Sequence, residues 1–196
     1  SSTITTEVIV DDLPFSEGAM RYAFYMYDIT LNQPLIGKLP KKIKKEQNTL
    51  DFFSKDIESV IICQHLVNCF NERVVEFLPS SDLILNFVHT FVYDIKFGNR
   101  SKVLYWTENL IKGKYEKYNN NDGWVKNGGN ESGKVAQAFS HFSWQITKGY
   151  MMIVDLQGVG GILTDPQIHC LDKSKFGQGN LGYFGIIKFF LSHRCN

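Results

Sequence analysis

No charge of either sign dominates this chain: 21 lysines and arginines stand against 20 aspartates and glutamates in 196 residues, a formal net charge of +1. That balance argues against nucleic acid or an anionic membrane surface as the main partner. Long apolar runs are missing too, and no stretch is long enough to span a bilayer. The opening SSTITTEVIVDDL has neither a basic n-region nor an apolar h-region, so it reads as no secretory signal. Cysteine is scarce. Cys63, Cys69, Cys170 and Cys195 do not have the spacing of a small secreted disulfide framework. Cys63 and Cys69 fall in an apolar helical stretch and read as small buried hydrophobes. A reduced, cytoplasmic setting is expected. What the chain does have is core material: 43% hydrophobic and 14% aromatic residues, enough for one or two compact domains.

Patterning sets strands before helices. EVIV, MRYAFYMYDI and LIGK read as strands, with a turn-like DDLPFSEGA between the first two. The basic run PKKIKKEQ reads as a solvated loop. Residues 49–74 give the clearest helix, with Thr49 or Asp51 as N-cap and Leu50, Phe53, Ile57, Val60, Ile61 and Val67 at helical spacing. LILNFVHTFVYDIK and KVLYW are strands joined by FGNRS as a hairpin connection. GKYEKYNNNDGW is polar and turn-rich, NGGNESGK a mobile loop, and KVAQAFSHFSWQIT a helix. YMMIVDLQGVG is a strand running into a loop, and LGYFGIIKFFLSHRC a final helix. The order of elements predicts an α+β protein with two lobes.

Three constellations carry chemistry. In MMIVDLQGVGGILTDPQ an apolar strand runs directly into Asp155, with Gln157 and Asp165 on the loops that follow. Two carboxylates and an amide at the end of a buried strand suit Mg²⁺. One carboxylate can instead take a proton from a substrate hydroxyl, or both aspartates can simply cap turns. Lys38 ends the strand LIGK, where it can reach phosphate oxygens as a point charge or sit on the surface. Asp56 or Glu58 of the following helix could hold it by an ion pair. Lastly, His141, His193 and Cys195 offer three of the four ligands of a tetrahedral zinc. Their bland reading is a helix-end histidine and a spare thiol.

Gly177, Gly179 and Gly182 spell G-x-G-x-x-G, the sign of a dinucleotide turn when a βαβ unit surrounds it and an acidic residue follows about 20 positions later. None of the residues after Gly182 is acidic, which counts against a dinucleotide-dependent enzyme. The longer segments DLQGVGGILTDPQIH and FGQGNLGYFGIIKFFLSHRCN instead resemble the end of the alpha-kinase family of atypical serine/threonine kinases. GAMRYAF, KYNNNDGWV and AFSHFSW are similar to that family in the same order, and the myosin heavy chain kinase branch looks nearest. The resemblance runs from about Phe15 onward.

The resemblance implies a bilobal protein-kinase-like fold: a β-rich N-terminal lobe (1–105) with one long helix, and a mixed C-terminal lobe (106–196) with a zinc site. It implies ATP, Mg²⁺ and structural Zn²⁺ as cofactors. Lys38 and Arg21 match residues near the nucleotide phosphates. Glu108, in TENL, matches the hinge glutamate facing the adenine, although the family's hinge is more usually apolar and contains proline. Asp155 matches the catalytic aspartate, and Gln157 and Asp165 the metal-binding pair. Gly177, Gly179, Asn180 and Gly182 match a glycine-rich loop associated with substrate engagement. His141, His193 and Cys195 match zinc ligands, with the family's fourth ligand, a cysteine, falling beyond Asn196. The implied activity is transfer of the ATP γ-phosphoryl to threonine or serine of a protein substrate, helical or coiled-coil in character. The alternative is a catalytically inactive kinase-like module that binds ATP or peptide.

Overall fold

A computed structural model describes residues 4–42, 48–79, 84–98, 102–126 and 131–195. In chain order its elements are β1 (Val8–Val10), β2 (Ser16–Glu17), β3 (Arg21–Asp28), β4 (Gln33–Pro40), α1 (Ser54–Phe77), β5 (Asn86–Phe87), β6 (Thr90–Ile95), β7 (Val103–Asn109), β8 (Glu116–Lys117), α2 (Glu131–Ile146), β9 (Met151–Val154), β10 (Gln157–Val159), β11 (Ile162–Thr164), β12 (Gln167–Cys170) and α3 (Tyr183–Ser192). They fall into two compact units, residues 1–54 with 89–110 and residues 55–88 with 111–196. The division is discontinuous in sequence, unlike the single cut after residue 105 expected above, because β6 and β7 return to pair beside β4.

The first unit is one antiparallel sheet in the order β1-β3-β4-β7-β6, with β2 pairing β3. Side chains alternate across it, as the strand geometry requires. Met26, Leu35, Tyr105 and Ile95 point to one face and form its core. The register places Ala23, Lys38, Trp106 and Val92 in one row and Tyr25, Ile36, Glu108 and Thr90 in the next. The face opposite the core therefore carries Arg21, Lys38, Trp106 and Glu108 together. FGNRS does connect two paired strands; residues 99–101 lie outside the described residues, as do 43–47 of the basic run and 127–130 of the glycine-asparagine stretch.

The second unit contains the long helix, which was expected in the sheet lobe. Cys63, Leu66, Val67 and Phe70 of α1 join a core with Phe87, Phe139 and Ile153. The helix starts at Ser54, after a turn whose Phe52 N–H is received by Thr49, rather than at Thr49 itself. Ile57 and Ile61 are on its exposed side, followed at helical spacing by the exposed His65 and Asn68. The buried stripe thus begins about two turns later than periodicity suggested. The C-terminal half is also richer in strand than expected, with a sheet in the order β5-β11-β10-β8 and the pair β12-β9. These strands span only two to four residues, too short to show an alternation in sequence.

Strand β9 is the centre of this unit. Met152, Ile153 and Val154 are wholly buried, with Ile153 in the large core and Met152 and Val154 against Ile186 and Phe189 of α3. One edge of β9 pairs with β12. On the other edge two hydroxyls, one on α2 and one in the turn that follows it, take its amides: Met151 N–H donates to Thr147 Oγ1 (3.2 Å) and Ile153 N–H to Ser143 Oγ (2.8 Å). A buried strand needs every backbone donor answered, and Ser143 and Thr147 answer these two.

Candidate active site

In the first unit, Lys38 Nζ lies 2.8 Å from Glu108 Oε1, with both side chains nearly buried (9% and 7% exposed). The pair is diagonal across β4 and β7, so sheet register alone brings it together. A counter-charge at Lys38 thus comes from the neighbouring strand, a partner not expected beside the helix carboxylates Asp56 and Glu58. Glu108, expected to face an adenine, here spends its carboxylate on Lys38. The Arg21 guanidinium sits 5.9 Å above the Trp106 ring, and Trp106 stacks on the buried Phe53.

In the second unit, Asp155 follows directly on β9, and its neighbour Leu156 is held fast. Leu156 N–H donates to Asn119 Oδ1 (2.9 Å), and its carbonyl receives Tyr118 N–H (2.8 Å). Between these fixed points Asp155 adopts a left-handed backbone (φ 60°), and Asp165 does likewise (φ 49°). Aspartate tolerates that region better than most residues, yet it is still disfavoured by about 1–2 kcal/mol, a mark of a site held for use. Gln157 Nε2 approaches Asp155 Oδ2 at 3.5 Å, which leaves the Gln157 amide oxygen as its ligand atom. Lys117 Nζ stands 2.7 Å from Asp155 Oδ1, a charge contact without the alignment of a hydrogen bond. Burial pushes the Asp155 carboxyl above its ordinary range; Lys117 opposes that shift and the charge of Asp165 adds to it. Asp155 thus has the Gln157 amide beside it and Asp165 within charge range, residue types that could offer oxygen ligands to Mg²⁺.

The glycine-rich loop joins β12 to α3. Phe176, Gly177 and Gly182 are left-handed (φ 59°, 73° and 66°), and Gly182 caps α3. Asn180, named above with the substrate loop, is buried and turned inward. Its Oδ1 receives Cys170 N–H (2.9 Å) and Gly182 N–H (2.8 Å), and its Nδ2 donates to the carbonyls of Asp172 and Lys175. An amide that a phosphate cradle would need at this helix start is therefore already taken, which agrees with rejecting the dinucleotide turn.

His141 Nδ1, His193 Nε2 and Cys195 Sγ lie 3.2, 3.6 and 3.7 Å from one another. Tetrahedral zinc, with bonds of about 2.0–2.1 Å to nitrogen and about 2.3 Å to sulfur, spaces such ligands about 3.3–3.6 Å apart. The three residues fit that ion on geometry. Burial and the neighbouring His141 hold the His193 imidazole below its usual value.

Four polar residues of this unit were not singled out from sequence: Lys117, Asn119, Asn121 and His169. Asn119 is fully buried and also donates to Gln137 Oε1 and Ser140 Oγ. His169 is fully buried, its Nε2 2.9 Å from the Asn121 carbonyl, and its Nδ1 receives Leu181 N–H (3.2 Å). A Cβ on Gly185 would stand 2.4 Å from His169 Nε2, so α3 needs glycine there. The one available signal was the tract Asn119-Asn120-Asn121, three amides too polar for a core and too regular for a random loop.

The alpha-kinase family profile matches residues 16–196. Over 191 residues the chain is 39% identical to alpha-protein kinase 1 of Dictyostelium discoideum, covering 97% of this chain and 13% of that protein. It is 35% identical over 195 residues to myosin heavy chain kinase B of the same organism, covering 97% of this chain and 25% of that one. Among solved structures, the alpha-kinase domain of myosin-II heavy chain kinase A in complex with AMP-PNP superposes with a TM-score of 0.81 at 27% identity, covering 97% of this chain and 84% of that chain. The chain belongs to the alpha-kinase family. It spans a quarter or less of the length of these two curated relatives.

Burial drives the His169 imidazole from 6.5 down to about 4, partly offset by the Asn121 carbonyl. Unfolded chain takes up this proton below about pH 6.5, whereas folded chain resists until near pH 4. Its contribution is therefore intact above that window and falls away as the pH drops through it, by at most about 3 kcal/mol. Urea unfolding from pH 7 to 4 should show the loss, and His169→Gln should flatten it relative to wild type.

Proposed function

We propose that this domain transfers the γ-phosphoryl of ATP to a threonine or serine hydroxyl of a protein substrate. The observation that carries the reading is Asp155: a carboxylate directly after the buried residues Met152 to Val154, in a left-handed backbone, within charge range of Asp165 and Lys117. Family membership supports it, and so does the nucleotide analogue held by the similar domain of myosin-II heavy chain kinase A.

Phosphoryl transfer asks for position and charge more than for covalent chemistry. Lys38 would hold the α/β-phosphates as a compact charge, with Glu108 keeping the ammonium in place before nucleotide binds, and Arg21 would add a second cation. Gln157 and Asp165 would hold Mg²⁺, which neutralises phosphate charge when bound. Asp155 would orient the substrate hydroxyl and accept its proton. Lys117 would keep Asp155 ionised, since it alone opposes the upward push of burial and of Asp165. The glycine-rich loop would engage the peptide through backbone rather than through Asn180, whose side chain is already committed. We further infer that His141, His193 and Cys195 hold a structural zinc. The four cysteines, all free thiols, suit a reducing cytoplasmic setting. The substrate on this reading is a helical or coiled-coil segment carrying threonine.

Asp155→Asn, which keeps a side chain tolerant of the left-handed backbone, should lower kcat toward a threonine-containing helical peptide by about 10²–10⁴-fold while the domain stays folded. Near-normal transfer in that variant would remove Asp155 from the chemistry, and ATP binding without transfer in the wild type would favour the inactive binding module. Lys117→Met should shift the acid limb of the kcat/KM profile to higher pH, because Lys117 lowers the Asp155 pKa; an unmoved limb would exclude that role. Purified protein should carry about one zinc per chain by atomic absorption, and His141→Ala should lose both the metal and several degrees of melting temperature. A metal-free wild type of unchanged stability on chelation would count against the site.

A further inference from the structure

The three asparagines of the tract at 119–121 do three different things. Asn119 pins Leu156, the residue after Asp155. Asn120 Oδ1 receives the N–H groups of Asp122 (2.9 Å) and Trp124 (2.8 Å) and so closes the turn. Asn121 reaches the other way: its Nδ2 donates to the Gly179 carbonyl (3.2 Å) in the glycine-rich loop. Its own carbonyl lies 2.9 Å from His169 Nε2, and His169 Nδ1 receives Leu181 N–H. Because Nδ1 is the acceptor, the proton sits on Nε2 and is donated to Asn121. One short turn thus grips the backbone beside Asp155 at one end and both sides of Asn180 in the glycine-rich loop at the other.

Two separate sets of bonds act on that loop. The inner set runs through Asn180 and ties the loop to residues 170–175 and to Gly182, which keeps it folded on itself. The outer set, Asn121 to Gly179 and Asn121 through His169 to Leu181, fixes where the folded loop stands relative to the Asp155 loop. Changing the Asn121 side chain cuts only the link to Gly179 and leaves the inner set and the backbone link to His169 in place; Asn121 is part-buried at the surface rather than in the core.

We propose that Asn121 is a positioning residue which, with His169, holds the glycine-rich loop in register with Asp155 and thereby sets the affinity for the peptide substrate. The proposal rests on the kinase reading above and adds to it a residue that touches neither nucleotide nor hydroxyl. Asn121→Asp keeps the shape of the side chain but turns an oxygen toward the Gly179 carbonyl. Loss of one such link is expected to raise the KM for a threonine-containing helical peptide about tenfold. The KM for ATP should stay within about twofold of wild type on the same grounds, since the inner bonds and the sheet of the first unit are untouched.

Hydrogen exchange reads the tie without catalysis. Amides of residues 177–182 should exchange faster in Asn121→Asp, while those of 172–175 and of β9 keep their protection. His169→Asn, which retains an acceptor near Leu181 N–H but loses the donor to Asn121, should give a smaller change in the same two readouts. If Asn121→Asp unfolds, seen as faster exchange throughout the domain, Asn121→Ala removes the donor without the oxygen clash and is measured in the same way. An unchanged peptide KM with unchanged exchange overturns the proposal, as does a rise in both KM values together, which would mean a general weakening of the site. Should the wild type transfer no phosphoryl group, the kinase reading fails on its own account. The tie is then judged by exchange and by anisotropy of the labelled peptide: a loosened loop with weaker peptide binding upholds it, and no change in either refutes it.

Discussion

The second unit is organised around a strand that cannot move. β9 is buried on both faces, paired along one edge and capped along the other by Ser143 of α2 and Thr147 of the turn after it. A strand so enclosed ends at a definite place, and the residue that follows must leave it at a definite angle. That residue is Asp155, and the left-handed turn it makes is imposed by Asn119 holding Leu156 on the far side. A carboxylate placed in this way is half taken out of water and has a raised pKa. The neighbours that set its charge, Lys117 and Asp165, arrive through the β8-β10 and β10-β11 pairings, in which Gln157 lies opposite Lys117 and Thr164. Packing, backbone conformation and proton affinity at Asp155 therefore have a common origin.

The first unit reaches a comparable result by a different route. Its sheet has one face filled by Met26, Leu35 and Tyr105, and the other bears the ion pair Lys38–Glu108. A lysine this deeply buried without a counter-charge would be strongly disfavoured. Glu108 makes the position tolerable, and strand register is what supplies it. The pair adds little net stability, since the desolvation of two charges consumes much of their attraction.

Much of this was legible in the chain, and the failures are instructive. Strands β3, β4 and β7, the long helix and the cluster of His141, His193 and Cys195 could be placed because each is long or chemically distinctive. The buried stripe of α1 was misjudged because Ile57 and Ile61 satisfy helical spacing as well as Cys63, Leu66 and Phe70 do; which face is covered depends on what packs there. Glu108 was not foreseen as a partner of Lys38 because it lies far along the chain and meets it through β4-β7 pairing. His169 looked ordinary because nothing local indicates that both its nitrogens are committed. The short strands β8 to β12 offered too few residues for any period to show.

The linear order of residues was enough to determine the family, the residue types at each chemical position and the absence of any long apolar run, because these rest on identity and spacing along the chain. Tertiary structure alone decided which charge faces which, that Asp155 and Asp165 share an unusual backbone, that Asn180 points inward, and that Asn121 reaches the glycine-rich loop. The charge pairings and the reach of Asn121 depend on segments distant in sequence coming within hydrogen-bond or Coulomb range, whereas the inward turn of Asn180 depends on a loop folding back on itself, and neither is set by spacing along the chain.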